Sequence, residues 1–140
     1  MSMIDDAKEF IKLYYLISTS KPLDLPKFYD EMALVSRPSF EHPIPFGECT
    51  KSLNIASYAD SNININSTVI LPNNDYLAIV VTGSIKSNDN ERLFTQTFIL
   101  QDKADRLYIT SEAFQFVERY NSLNNYVESV DEQKGDHFLS

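Results

Sequence analysis

The chain has 140 residues and a mass of 16.1 kDa, the length of one ordinary domain, which excludes multidomain machinery. With 12 Lys and Arg against 20 Asp and Glu, its net charge is -8 and its pI about 4.6, so the basic footprint of a protein that grips phosphates is missing. No direct high-affinity contact with nucleic acid is expected. Apolar residues at 43% and aromatics at 12% suffice for a folded core.

A single cysteine, Cys49, excludes an intramolecular disulfide framework and any multi-cysteine metal site, and it fits a reducing compartment. Asp5 and Asp6 stand where a secretory leader would be basic, and no run approaches roughly 18 apolar residues. No membrane insertion is expected. The triplet Asn66-Ser67-Thr68 matches a glycosylation acceptor only formally.

The first 20 residues predict a helix, with Ser2 and Asp5 as a capping pair and Ile4, Ala7, Ile11, Tyr14 and Tyr15 at helical spacing. Phe10, Leu13 and Ile17 widen that stripe until only Asp5, Lys8, Glu9 and Lys12 remain for water, so the helix must be gripped by something concave. After Lys21-Pro22, Leu23 to Met32 predicts a short second helix with Pro26 in its first turn. Ala33 to Phe40 reads as extended, with Pro38 confining it to an edge or ending it. His42 to Gly47 is a Pro-rich loop, and Glu48 to Ala59 has a weak helical pattern.

The remainder predicts sheet. Asn62 to Leu71 alternates Asn with Ile, and three turn clusters then separate Tyr76–Lys86, Leu93–Gln101 and Arg106–Val117, an antiparallel meander. Leu77, Ile79, Val81 and Ile85 share one side of their strand, and Ala78, Val80, Thr82 and Ser84 the other, smaller and uncharged. Neither face suits water. A second copy of the chain is the expected cover for the Thr- and Gln-rich side, taken here as Thr82, Ser84, Thr95, Gln96 and Thr97. Residues 1–120 form the domain and 121–140 an acidic polar tail.

Helices ending in an aromatic pair, then a loop, a further helix and a long-stranded meander resemble the nuclear transport factor 2-like fold. Phe10-Ile-Lys-Leu-Tyr-Tyr15 resembles that family's first helix and Leu25-Pro-Lys-Phe-Tyr29 its second. Gly83-Ser-Ile-Lys86 with Phe94-Thr-Gln-Thr-Phe-Ile-Leu100 is similar to its paired strands, and Tyr108 to Phe116 to its last. The resemblance spans roughly residues 4 to 118. It implies an α+β cone, with N-terminal helices packed in a strongly curved, mostly antiparallel sheet.

Within the family the strings look most like the domain of stress-granule GAP-binding proteins and of the fungal ubiquitin-protease cofactor. That likeness implies a groove for Phe-Gly-containing peptides lined by Phe10, Phe28 and Phe114, although aromatic residues in such helices are ordinarily core. It points to a non-enzymatic homodimeric adaptor in the cytoplasm, the nucleus or at the nuclear envelope, serving nucleoporins or messenger-ribonucleoprotein regulators. The chain's length is also similar to the free-standing transport factors and to the small partner subunit of an mRNA-export receptor. In the turn Lys86 to Glu91, Asn88 and Asn90 replace acids that Ran binding would use, because Asn offers no charge-assisted acceptor.

The same fold hosts isomerase-like and dehydratase-like enzymes, which need a titratable group tuned by apolar walls. Candidates are few: His42 and His137 in loop and tail, Asp30 and Glu31 at a helix end, and Tyr14 and Tyr15 in the apolar stripe. Cys49 lacks a neighbouring His or basic cluster. Gly47, Gly83 and Gly135 are too scattered for a phosphate loop, and no metal-ligand spacing occurs, so no cofactor is expected.

Overall fold

In the computed structural model, residues 3–58, 62–87 and 89–117 are described. The predicted cap at Ser2, the acidic tail and His137 lie outside them. Helix α1 (Met3–Ser20) carries Asp5 and Asp6 in its first turn, where the helix dipole favours negative charge. It buries Ala7, Phe10, Ile11, Tyr14, Tyr15 and Ser18.

A second α-helix does not form. Pro22–Phe28 is a 3-10 turn, and the chain is already extended from Tyr29, because Pro26, inside the segment, lacks the amide donor that an α-helix would need and crowds the carbonyl four residues back. Strand β1 (Tyr29–Ser36) stops just short of Pro38, and β2 is the pair Ile44–Pro45. The predicted helix over 48–59 is instead a chain of 3-10 turns at Phe46–Glu48, Thr50–Ser52 and Ile55–Tyr58. The last of these is tied to α1, since Ser18 Oγ donates to Asn54 Oδ1 at 3.0 Å.

Strands β3 (Asn62–Asn73), β4 (Tyr76–Ser87), β5 (Asn90–Lys103) and β6 (Arg106–Phe116) form the meander. The sheet order is β2-β1-β6-β5-β4-β3, antiparallel throughout except that β1 runs parallel to β6. The β5–β6 turn is a two-residue one: Ala104 and Asp105 both adopt positive φ (53° and 63°), the conformation that matches the strand twist in such a hairpin.

The predicted alternation in β4 holds: Leu77, Ile79, Val81 and Ile85 face inward, fully buried. In β5 the inward set is Phe94, Gln96, Phe98 and Leu100. Gln96 therefore does not belong to the outer face where it was expected; it stands opposite inward-facing Val81. In β6 the register shifts where Leu100 pairs with Ile109 and Ile99 with Ser111, leaving Thr110 as the extra residue of a bulge. Thr110 Oγ1 donates to the Ile99 carbonyl at 3.1 Å. The bulge reverses the strand's facing, so that Glu112 and Phe114 turn inward where straight alternation from Ile109 would have sent them out.

Candidate functional site

Inside the sheet, under α1, six polar side chains from four elements meet in an otherwise apolar core. Arg37, one residue past β1, spends all five of its donors there. Its Nε reaches the Ser52 carbonyl (3.0 Å) and its Nη1 the Ser36 carbonyl (3.0 Å), while Nη2 bonds the Leu53 carbonyl (2.9 Å) and Glu112 Oε1 (3.0 Å). Nη1 also pairs with Glu112 Oε2, and both side chains are wholly shielded from solvent.

Glu112 is equally saturated. Oε1 accepts from Tyr29 and Arg37, and Oε2 accepts from Arg37 and from Gln96 Nε2 at 2.9 Å. Gln96 Oε1 in turn accepts from Tyr15 at 2.6 Å, and the Tyr14 and Tyr29 hydroxyls are 2.8 Å apart. Burial raises Tyr14 above the ordinary phenol range, and the Glu112 carboxylate adds to that. Tyr29 is raised for the same two reasons, and Tyr15 by burial, then Tyr14 and Glu112. Burial pulls the Arg37 guanidinium down, but Glu112 outweighs it and holds the cation firmly protonated. Each carboxylate oxygen accepts two hydrogen bonds, which fills its lone pairs and leaves no acceptor for a substrate proton.

Outside this network, α1 and the β5–β6 hairpin enclose a groove of about 540 Å³. Phe10 and Phe28 form its floor, each 9% exposed, with ring centroids 5.3 Å apart in an edge-to-face contact. Leu13 and Leu16 (48% and 59% exposed) make one wall, and Leu107 the other. The third expected aromatic is elsewhere. Phe114 stacks on Phe94 at 5.0 Å and does not line this groove; Leu107 takes that place, since it lies near the start of β6 and Phe114 near its end.

The other expected residues separate clearly. Thr82, Thr95 and Thr97 lie half-buried on the outer face, Thr82 opposite Thr95 and Thr97 opposite Val80. Ser84 is on that face but buried, donating to Glu91 at 3.2 Å. Gln96 is the exception described above. Of the weighed catalytic candidates, His42 is exposed and bonded to the Pro43 carbonyl, and Glu31 is exposed. Asp30 is held below the usual carboxylate range by its bond from Lys103, and burial pushes the Cys49 thiol up. Among the described residues no His, Cys, Asp and Glu cluster could hold a metal ion, and no helix is long and apolar enough to cross a membrane.

Sequence reasoning overlooked Arg37, Tyr29 and Glu112. The signal for Glu112 was a lone carboxylate two residues from Phe114 and four from Phe116, on the apolar side of its strand.

A buried polar network under one helix, a bulged closing strand and a parallel β1–β6 pair define a particular class of α+β domain. The family model for the nuclear transport factor 2 (NTF2) domain matches residues 6–116, and the chain belongs to that family. The yeast UBP3-associated protein BRE5 is similar in fold, at 19% identity and a TM-score of 0.74 over 85% of this chain and 99% of that one. A complex of the yeast deubiquitinase Ubp3 with its Bre5 cofactor matches at 16% identity and a TM-score of 0.68, again over 85% and 99%. A protein from Parabacteroides distasonis, provisionally named a ketosteroid isomerase, matches at 14% identity and a TM-score of 0.65 over 79% of this chain and 87% of that one. No curated protein matches the sequence.

Proposed function

We propose that the protein is a non-enzymatic adaptor that holds a Phe- and Gly-containing peptide in the α1–β6 groove and pairs with a second copy through its outer sheet face. The observation that carries this reading is the groove itself: an aromatic floor of Phe10 and Phe28 between partly buried Leu107 and a wall of Leu13 and Leu16 that remains about half exposed. A partner's Phe would gain a desolvated slot, and the Gly beside it close backbone approach. The fold similarity to Bre5, a cofactor in complex with another protein, supports a protein-binding role.

The isomerase-like alternative has a point of support in the buried Glu112 with Tyr14 and Tyr29, but both carboxylate oxygens are already fully engaged. The outer face supports self-association, being free of charge from Leu34 across Thr97 and Val80 to Val69, with Leu34, Val69 and Leu93 each about half exposed. Heterodimerisation with a larger export receptor would use the same face. Nucleoporins and messenger-ribonucleoprotein regulators, in the cytoplasm or nucleus, are the proposed source of the peptide.

Titrating a labelled Phe-Gly peptide against the wild type and Leu13→Asn tests this. Leu13 is exposed, so the fold should persist while affinity drops at least about tenfold. Equal binding by both, or turnover of a small ketone, would overturn the reading.

A further inference from the structure

We propose that the segment held in this groove carries Lys or Arg on both flanks of its apolar anchor; the inference rests on the peptide-binding reading above and specifies its partner. The rim supplies the argument. Asp6 and Glu9 from α1 face Asp102 and Asp105 from the β5–β6 hairpin, with Lys12 and Arg106 the only cations among the lining residues.

Both cations are engaged locally. Lys12 lies 3.6 Å from Glu9, and the Arg106 guanidinium donates to the Lys27 carbonyl at 3.4 Å and sits 5.1 Å from the Tyr108 ring centre. Among the described residues, Asp6, Asp102 and Asp105 form no ion pair. Carboxylates therefore stand on both sides of an apolar slot, in a chain whose net charge is already -8. An acidic-flanked segment would bring like charges to both rims, whereas a basic-flanked one meets three open acceptors and is steered toward them. Leucine walls and aromatic floor supply affinity without regard to charge, so the rim decides which Phe-bearing segment is admitted.

Three synthetic peptides with one Phe-Gly core, flanked by Lys, by Ser or by Asp, separate the possibilities when titrated against the full chain at low and at high salt. The Lys-flanked peptide should bind at least about tenfold tighter than the Ser-flanked one and the Asp-flanked one weakest, with the spread closing at high salt. Asp102→Asn with Asp105→Asn should cut the Lys advantage at least about threefold. Affinity that depends on Leu13 but is the same for all three flanks, or favours Asp, overturns this inference and leaves the peptide reading standing. Absence of binding by any of the three overturns both.

Discussion

The Arg37 guanidinium and the Glu112 carboxylate, 75 residues apart in sequence, hold each other in a forked pair from which solvent is wholly excluded. The pair is where β1 meets β6, and it also ties down the 3-10 turns through the Ser52 and Leu53 carbonyls. Removing one member would strand the other charge in the core. Glu112→Leu should cost about 3–5 kcal/mol in chemical denaturation. The double variant Arg37→Met with Glu112→Leu should fall between that variant and wild type, since it removes the buried charge but orphans the carbonyls. A double variant no more stable than Glu112→Leu would mean that charge pairing is not what holds this core.

The three buried phenols make stability pH-dependent on the alkaline side. Tyr14, Tyr15 and Tyr29 are raised in the fold, chiefly by burial, above their unfolded value near about 10. Their contribution is complete below that pH and is lost above it, at a slope of up to about 1.4 kcal/mol per pH unit for each tyrosine that ionises only on unfolding. Phenolate absorbance should show these three appearing only with loss of structure. Full titration of every tyrosine in a still-folded protein would contradict the closed network.

Gly83 stands opposite Ile65, beside the Asn66 bulge, where a Cβ would overlap the Asn64 carbonyl oxygen and press on the Phe94 ring. Gly83→Ala should lower stability by about 2 kcal/mol, read as a fall in thermal midpoint, because backbone on one side and a packed aromatic on the other cannot both yield.

Thr97 sits at the middle of the outer face, flanked by Val80 and Ala113. Light scattering at micromolar concentration should give about twice the chain mass for the wild type, and Thr97→Arg should halve it without altering the circular dichroism, since a two-fold interface would face two such charges. A wild-type monomer would remove the dimer.

Phe28 anchors both groove and core, its ring 5.3 Å from Phe10 and 5.5 Å from Tyr14. Phe28→Ala should therefore cost about 3 kcal/mol of stability in addition to any loss of peptide affinity. Stability close to that of wild type would show that the ring serves the groove alone.

Much of this architecture was legible from residue pattern. Alternation in β4 located the buried face, and the stripe on α1 located the buried Ala7, Phe10, Ile11, Tyr14 and Tyr15, although Ile4 and Leu13 of the same stripe are exposed. What escaped was local. Pro22 and Pro26 permit a helix start by position, yet no α-helix forms, and β1 begins four residues before the extended stretch expected from Ala33. Phe114 and Gln96 were misplaced for different reasons: Phe114 sits near the end of β6, away from the groove that Leu107 lines, and Gln96, polar in type, is taken inward by its partners Tyr15 and Glu112. The groove was half visible, since Phe10 and Phe28 come from neighbouring elements, while Leu107 enters only through strand register.

The parallel seam between β1 and β6 has a consequence for synthesis. Within the domain α1 and β1 come first in sequence, but Phe10 and Tyr14 pack on Phe98 of β5, and the strand that pairs with β1 ends only at Phe116. Closing so long a loop is slow, and the aromatics of α1 wait for their cover until the later strands have been made. The parallel β1–β6 seam can therefore form only after β6 has been made.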